Sequence, residues 1–330
     1  MKRILIIGLG SIGRRHTRNL AALYPGSAFV FLRHMAQSDA LVDELGGRVE
    51  TDLERALQDD FDLAVVSSPS ANHIDVLPRL IAAGVKLFVE KPIVTSLQDC
   101  DVISQSLANA PDAVRISGFN FRYLQSLNTM RDMIKSGALG TIVRASFVAG
   151  QWLPDWRPDQ DYRKVYSADA ARGGGVELDL VHEIDVARWF FGDLELDYAV
   201  GFKASNLEIV SHDVSSMILT GRKNGAKTAP IVHISLDYVS RKRVRQYEIV
   251  GDSGSLFWDI AGTLHHVTAQ GRVLIDERAS GFDVGGTYVT MMAGLLEGTP
   301  EQQKWTLQSL EDGLASSRLA ILAQMKGSQD

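Results

Sequence analysis

Short apolar runs alternate with helical stretches over the first third of the chain. The runs at residues 4–7, 29–32, 63–66, 87–89 and 114–116 predict buried strands, because they are short and almost free of polar positions. The stretches between them predict helices at residues 13–24, 35–45, 52–58, 72–83 and 96–109. A repeated strand–helix–strand order with short connections is typical of a doubly wound parallel sheet.

The pattern changes near residue 120. Strands are predicted at residues 141–149, 196–204, 215–220, 231–238, 245–250, 255–259 and 263–267, with glycine-containing turns at 223–225 and 251–254. Helices are predicted at 124–136, 176–191 and 305–325. We therefore expect an α/β chain with two domains. Residues 1–120 would form the doubly wound parallel sheet, and residues 121–330 an α+β domain with a large, predominantly antiparallel sheet.

Composition and charge narrow the class of protein. The chain has 330 residues, of which 45% are apolar and 22% charged, as in folded globular domains. Its 40 acidic and 34 basic residues give a net charge of −6, which disfavours broad binding to nucleic acid or to an anionic membrane. A single cysteine, Cys100, suits a reducing compartment. With no apolar run of roughly 18 residues and no signal-peptide pattern, we expect a cytoplasmic protein.

A glycine motif follows the first predicted strand. Gly8, Gly10 and Gly13 form the pattern G-x-G-x-x-G, with Ser11 and Ile12 inside it, and a predicted helix follows at once. The first glycine permits a tight turn, the second lets a pyrophosphate approach the backbone, and the third lets helix and strand pack closely. Amide groups at the helix start would hold the phosphates. The motif predicts binding of NAD or NADP, the alternative being an ordinary glycine turn.

The end of the second strand bears on the choice of cofactor. NAD-preferring sites usually carry an acidic residue there, whereas this chain has Arg33 and His34 and no acid before Asp39. Arg33 is able to pair with a 2′-phosphate, so NADP is slightly favoured over NAD. The alternative is that Arg33 stacks on adenine or points to solvent.

A Glu-Lys-Pro sequence ends another predicted strand. Glu90 and Lys91 precede Pro92 at the carboxyl end of the run at 87–89, the edge at which parallel sheets bind ligands. A lysine in isolation is more often a surface residue. Combined with the glycine turn and the strand series, Lys91 becomes a candidate catalytic residue.

Four motifs together resemble the Gfo/Idh/MocA oxidoreductases, the family of glucose–fructose oxidoreductase and inositol dehydrogenase. They are GLGSIGRRH at residues 8–16, SSPSANH at 67–73, EKP at 90–92 and GGGVELDLVHEID at 173–185. The resemblance covers nearly the whole chain. It implies a Rossmann domain followed by an α/β domain whose sheet supports a homodimer or homotetramer. It also implies NAD(P)-dependent hydride transfer at a hydroxyl or keto carbon of a sugar or sugar-acid derivative.

The resemblance also implies roles for particular residues. Lys91 would position the substrate hydroxyl and lower its pKa, His182 would exchange its proton, and Asp185 would bind substrate. Cofactor contacts are implied for the loop and strand-end residues Ser68, Pro69, Asn72, His73 and Glu90, and the Lys91–Pro92 bond is expected to be cis.

The spacing of residues around His182 supports this assignment. Asp179, His182 and Asp185 lie three apart in a predicted helix and would share one face. A histidine exchanges protons near neutral pH, and flanking carboxylates would orient its ring. Asp179 is accordingly a third candidate catalytic residue, although many family members place this carboxylate one position earlier, where this chain has Leu178. The alternative is a capping and salt-bridge cluster at a helix start.

The segment before this helix is rich in aromatic and basic residues. Tyr162 and Arg163 lie in it, and Arg122 lies at the domain junction. Aromatic rings suit sugar rings and guanidinium groups suit carboxylates or phosphates, so these three are candidate substrate-binding residues for an anionic sugar or a nucleotide sugar. A packed aromatic loop or an oligomer contact is the alternative. Arg241, Arg243 and Arg245 alternate along a strand and are expected on a solvated or subunit-facing side.

The predicted activity is a dehydrogenase or reductase of a small sugar-like molecule, with no metal site. Two alternatives stay open. One is a non-catalytic dinucleotide-binding regulator. The other is an enzyme that uses tightly bound NAD for redox-neutral glycoside cleavage or epimerisation.

Overall fold

A computed structural model describes residues 1–37, 39–223, 226–261, 263–276, 284–297 and 308–327. The chain forms two compact units, one of Met1–Asn120 with Gly285–Ser317 and the other of Phe121–Val284 with Arg318–Asp330. The sequence predicted one division at residue 120, and the structure also returns a later segment to the first unit. No helix in the described ranges is both long enough and apolar enough to cross a membrane.

A six-stranded parallel sheet organises the first unit. Its order, β3-β2-β1-β4-β5-β6, is that of a doubly wound Rossmann sheet, which confirms the predicted fold class. The apolar residues of the central strands are buried, as their continuous apolar runs predict. The strands are β1 (Arg3–Ile7), β2 (Ala28–Leu32), β3 (Arg48–Glu50), β4 (Leu63–Val66), β5 (Leu87–Val89) and β6 (Arg115–Ser117).

Four of the five predicted helices beside this sheet are shorter in the structure, whereas the first, predicted at 13–24, spans Ser11–Leu23. The helix predicted at 35–45 begins only after Asp39, whose carboxylate caps it by accepting hydrogen bonds from the amides of Leu41 and Val42. Strand β3 follows, which was not predicted from the sequence. The helices are α1 (Ser11–Leu23), α2 (Ala40–Glu44), α3 (Leu53–Ala56), α4 (Leu77–Ala82) and α5 (Leu97–Ala108), with a 3₁₀ helix at Ser70–Asp75.

An eight-stranded sheet organises the second unit in the order β14-β13-β12-β11-β7-β10-β9-β8. All neighbours are antiparallel except β7 and β10, which confirms a predominantly antiparallel sheet. The predicted turn at 223–225 lies partly outside the described residues. The strands are β7 (Ile142–Gly150), β8 (Leu194–Phe202), β9 (Val214–Lys223), β10 (Ala226–Asp237), β11 (Val244–Gly251), β12 (Ser255–Asp259), β13 (Leu264–Thr268) and β14 (Gly271–Asp276).

One face of this sheet carries the helix that the sequence singled out. The stretch predicted as one helix at 176–191 forms two, because the backbone leaves helical geometry at Leu180, with φ −99° and ψ 32°. The later helix packs on β7 and β10. The helices of the second unit are α6 (Gln125–Lys135), α7 (Val176–Asp179) and α8 (His182–Phe191).

Short 3₁₀ helices fill the connections at Asn120–Tyr123, Leu153–Trp156, Tyr162–Lys164, Tyr166–Ala168 and Ala170–Arg172. In the part of the chain after the sheet that the structure describes lie the α-helices α9 (Val284–Glu297) and α10 (Leu310–Gly327). The sequence predicted the last one at 305–325, but residues 305–307 lie outside the described part.

Candidate active site

The glycine turn has the geometry that a dinucleotide requires. Gly8 has φ +91°, and a Cβ there would lie 2.3 Å from the amide nitrogen of Ser68, so only glycine fits. A Cβ on Gly13 would lie 2.2 Å from the carbonyl oxygen of Gly8. A Cβ on Gly10 meets no atom within 4 Å, so the backbone at that position is open to an approaching group. The turn leads into α1, whose first turn has no acidic residue to repel a phosphate.

A cavity of about 430 Å³ opens beside this turn in the first unit. Its walls include apolar side chains such as Leu32 and Val76 and the polar groups of Thr51 and Asp75. A mainly apolar cleft with a few polar groups is typical of a nucleotide pocket. Five of the predicted cofactor residues line it, namely Gly8, Arg33, Ser68, Pro69 and Asn72.

Arg33 already has protein partners at the edge of this cavity. Its Nη1 donates a hydrogen bond to the carbonyl oxygen of Gln37 at 2.7 Å and lies 3.5 Å from the carboxylate of Asp39. Arg14 donates to the same carboxylate at 3.0 Å. The acidic residue that the sequence lacked at the strand end is therefore present nearby, paired with two cations.

His73 and Glu90 are buried supports of the turn rather than groups on the cavity wall. His73 is fully buried, with its ring nitrogens 3.0 Å from the carbonyl oxygens of Ile93 and Ser68. Burial lowers the pKa of this imidazole. Glu90 lies 2.5 Å from the buried His16 ring and accepts a hydrogen bond from the amide of Lys91 at 3.2 Å.

Lys91 stands where the sequence predicted, directly after β5. The Lys91–Pro92 peptide bond is cis, which confirms that prediction. The pairing of Glu90 with His16 and with the Lys91 amide fixes the backbone from which the lysine extends.

In the second unit, His182 is the first residue of α8 and is buried. Its ring stacks on Phe121, with 4.5 Å between centroids and 9° between planes. The guanidinium of Arg245 lies 4.6 Å from the centroid of the same phenyl ring. The imidazole is therefore held in one plane by an aromatic neighbour.

Asp179 does not share a helix with His182, because α7 ends before α8 begins. The predicted common helical face is therefore wrong for Asp179, whereas His182 and Asp185 both lie in α8, three residues apart. Its buried carboxylate accepts a hydrogen bond from the hydroxyl of Tyr238 at 2.6 Å and a second from the hydroxyl of Tyr166. Burial, with the adjacent carboxylate, raises the pKa of Tyr238 well above its usual value, so the phenol remains a donor.

Asp185 and Arg122, both predicted to bind substrate, form an ion pair with each other. The guanidinium donates hydrogen bonds to Asp185 at 2.8 and 3.2 Å, and the carboxylate is fully buried. Arg122 also lies over the ring of Trp189, 5.7 Å from its centroid. The pair attaches the segment of Phe121 and Arg122 to α8.

Arg245 contradicts its predicted place on a solvated or subunit-facing side. It is buried, its Nε lies 2.7 Å from the carboxylate of Glu183, and Tyr247 donates to the same carboxylate at 2.9 Å. Sequence reasoning missed this cluster, although a signal was present. Arg245 shares strand parity with Tyr247 and Ile249, which are core residues, so it had to point into the same face.

Tyr162 and Arg163 lie on a short 3₁₀ helix and are tied to nearby residues. Arg163 pairs with Asp161 at 2.8 Å and with Glu208 at 3.2 Å, and the side-chain hydrogen bond to Asp161 raises the pKa of the guanidinium. The hydroxyl of Tyr162 accepts a hydrogen bond from the amide of Glu208 at 3.3 Å. Both residues thus connect this loop to Glu208.

Comparison with known proteins reveals the relationship of the chain. Residues 2–117 match the family described as oxidoreductase family, NAD-binding Rossmann fold, and residues 127–257 match the GFO/IDH/MocA C-terminal domain. The chain belongs to the Gfo/Idh/MocA family. Its first unit is accordingly an NAD-binding Rossmann domain, and the chain is an oxidoreductase of this family.

Individual members of the Gfo/Idh/MocA family are similar over most of their length. An inositol 2-dehydrogenase/D-chiro-inositol 3-dehydrogenase from Lacticaseibacillus casei is 25% identical over 77% of this chain and 71% of its own. A myo-inositol 2-dehydrogenase from Thermotoga maritima is 27% identical over 78% of this chain and 75% of its own. A levoglucosan dehydrogenase solved with NADH and L-sorbose superposes with TM-score 0.79 at 17% identity, covering 99% of this chain and 98% of that one.

Proposed function

We propose that this protein is an NAD(P)-dependent dehydrogenase or reductase that acts on a hydroxyl or keto carbon of a sugar or sugar-acid derivative. The observation that carries the proposal is His182, a buried imidazole held flat against Phe121 in a chain that also has an NAD-binding turn. The inositol dehydrogenases to which the chain is similar act on hydroxyl carbons of a cyclic polyol. A proton-exchanging group beside such a hydroxyl is what the reaction needs.

The residues of the first unit fit a dinucleotide. Gly8, Gly10 and Gly13 form the phosphate turn, while Ser11 and Ile12 supply amides at the start of α1. The cavity is lined by Ser68, Pro69 and Asn72. His73 and Glu90 hydrogen-bond to the backbone of Ser68 and of Lys91, respectively. Bound there, the nicotinamide supplies the hydride acceptor or donor.

We assign the proton chemistry to Lys91 and His182. In the oxidation direction, the imidazole accepts the proton of the substrate hydroxyl, and the ammonium of Lys91 stabilises the negative charge that develops on that oxygen. Asp179 is a positioning residue, since its carboxylate is held by Tyr238 and Tyr166 just before α8. In the reduction direction the imidazolium of His182 returns the proton to the substrate oxygen, and the ammonium of Lys91 again stabilises the negative charge on that oxygen.

Arg33 makes NADP acceptable beside NAD in this proposal. Its guanidinium lines the cavity, and a 2′-phosphate is a stronger partner for it than the carbonyl oxygen of Gln37. The Asp39 carboxylate opposes this preference by repelling a phosphate, so we expect a modest preference for NADP and not an exclusive one.

We further propose that the large sheet supports a homodimer or homotetramer. Tyr198, Phe202 and Ile231 lie on its strands and are each more than half exposed, while neighbours of opposite strand parity such as Val232 are buried. A second copy covering this apolar face would remove it from water. Light scattering of the wild type and of Phe202→Glu tests this, since the variant should give a smaller assembly.

The direct test measures formation of the reduced nicotinamide by its absorbance, with NAD and NADP each offered to the enzyme together with cyclitols, hexoses and hexuronates. At least one substrate should reduce the cofactor in the wild type, and His182→Asn should lower kcat strongly. Substrate conversion without net cofactor reduction would instead identify a redox-neutral enzyme. Normal turnover by His182→Asn would refute the assigned proton role.

A further inference from the structure

A second cavity, of about 160 Å³, lies in the second unit at the end of β7 and the start of β11, two neighbouring strands in the middle of the eight-stranded sheet. Gly150 ends β7, and the register places it opposite Asp237 at the end of β10 and opposite Val244 at the start of β11. Trp156 and Leu180 form apolar walls of this cavity. Leu180 belongs to the segment that joins α7 to α8, two residues before His182 in the chain.

Two arginines line this cavity, and they differ in whether a carboxylate pairs with them. Arg245 is buried and paired with Glu183 at 2.7 Å. Arg243 is exposed enough for a solute to reach, and within the described ranges no ion pair or hydrogen bond engages its guanidinium. Partial burial, together with the nearby charge of Arg245, lowers the pKa of Arg243. An anion beside Arg243 would relieve both costs.

The other arginines that the sequence offered for an anionic group are already neutralised. Arg122 is occupied by Asp185 at 2.8 Å, and Arg163 by Asp161 at 2.8 Å and by Glu208 at 3.2 Å. A substrate anion would have to break one of these pairs to bind there. Arg243 offers its full fork of donors without that cost.

We propose that Arg243 binds a negatively charged group of the substrate, a carboxylate or a phosphate. The proposal rests on the proposed function, and it makes the preferred substrates acidic sugars or sugar phosphates rather than neutral cyclitols. The rings of such a substrate would lie against Trp156 and Leu180, while the anionic group forms paired hydrogen bonds with the guanidinium.

Anion binding by the NAD-loaded protein tests the site without requiring turnover. Inorganic phosphate and D-glucuronate are titrated separately, with calorimetry and tryptophan fluorescence as readouts, because Trp156 lines the same cavity. We expect saturable binding of at least one of the two anions, weakened about tenfold or more in Arg243→Gln. Lys242→Gln removes the same charge from the next residue, which is exposed, and should bind like the wild type.

Two outcomes of this titration would overturn the proposal. One is the absence of saturable binding of both anions to the wild type. The other is an affinity that Arg243→Gln leaves unchanged or that Lys242→Gln lowers equally. Arg243→Lys, which keeps the charge but loses the planar fork, should bind with intermediate affinity.

Steady-state kinetics then show whether the enzyme prefers a carboxylate or a phosphate on its substrate. They also test the anion site independently of the proposed dehydrogenase activity. Glucose, glucuronate and glucose 6-phosphate share one ring and differ in the charged group. For whichever charged sugar is turned over, Arg243→Gln should raise KM with little change in kcat, and it should not change the kinetics of neutral polyols. Efficient turnover of neutral cyclitols alone, unaffected by Arg243→Gln, would refute the anion site while leaving the dehydrogenase assignment intact.

Discussion

The guanidinium of Arg122 and the carboxylate of Asp185 form two hydrogen bonds, from Nη2 to Oδ1 at 2.8 Å and from Nε to Oδ2 at 3.2 Å. Asp185 is fully buried and Arg122 nearly so. A buried, bidentate pair fixes the orientation of both groups. It thereby fixes the position of Phe121, which precedes Arg122 in the chain and stacks on the ring of His182.

Breaking this pair should cost stability. Asp185→Asn leaves a buried guanidinium without its counter-charge, and we expect the free energy of unfolding to fall by about 3 kcal/mol. Urea denaturation measures it. Arg144→Gln is the matched control, since it removes an exposed pair with Glu248 and should cost under about 1 kcal/mol. An unchanged stability with a raised substrate KM would show instead that Asp185 serves substrate binding.

The catalytic roles assigned to Lys91 and His182 predict that substitutions there lower turnover without weakening cofactor binding. Lys91→Met and His182→Asn should each lower kcat by about 10²–10⁴-fold, because each removes a group that handles charge or a proton in the transition state. Steady-state kinetics and NADH fluorescence titration measure the two effects. The dissociation constant of NADH should stay within about twofold, and parallel loss of both properties would indicate a structural defect.

Two glycines of the turn should respond in opposite ways. Gly10→Ala places a methyl group where the protein has no atom within 4 Å, so stability should be kept while cofactor affinity falls by about tenfold or more. Gly13→Ala puts its Cβ 2.2 Å from the carbonyl oxygen of Gly8, so the protein should lose about 2 kcal/mol or more of stability. Thermal unfolding with and without NAD distinguishes the two. A stable Gly13→Ala would contradict the close packing of α1 on the turn.

Arg33 should control the choice between the two cofactors. Arg33→Ala should raise the KM for NADP by about tenfold and change the KM for NAD little, since only NADP carries the 2′-phosphate. Arg18→Ala, on an exposed part of α1, is the control for general charge loss. Equal effects on both cofactors would place Arg33 against the adenine instead.

His212 makes part of the stability dependent on pH. Its Nδ1 lies 2.8 Å from a carboxylate oxygen of the fully buried Glu177, and this hydrogen bond raises the pKa of the imidazole. The stabilisation is therefore full below the pKa of the unfolded state, about 6.5, and is lost as pH rises through the higher folded-state value.

The stability advantage of wild type over His212→Gln should accordingly be about 1 kcal/mol or more near pH 6 and shrink toward pH 9. Urea midpoints across this range measure the difference. A difference that grows with pH would reverse the sign and refute the ion pair.

Local sequence patterns were sufficient to predict strands and turns wherever the burial of each residue follows from its neighbours in sequence. The buried parallel strands, the glycine turn and the closely spaced antiparallel strands were all predicted, because continuous or alternating apolar runs report burial directly. The edge strands β3 and β14 were missed. The former, Arg-Val-Glu, has one apolar residue between two charged ones and therefore no apolar run. The latter contains the short apolar run Val273–Ile275, which is exposed in the structure and which the prediction left out.

The candidate site divides in the same way. The sequence alone determined which residue types follow the strands and the glycine turn, since backbone conformation and strand ends are local properties: Gly8, Lys91 and His182 were proposed as candidates without coordinates. Only the tertiary structure decided which charges are satisfied. Asp185 pairs with Arg122, Glu183 pairs with Arg245, Glu208 pairs with Arg163, and Arg243 remains exposed beside the second cavity. Ion pairs join residues that are distant in sequence, and no periodicity along one chain encodes which partner each will meet.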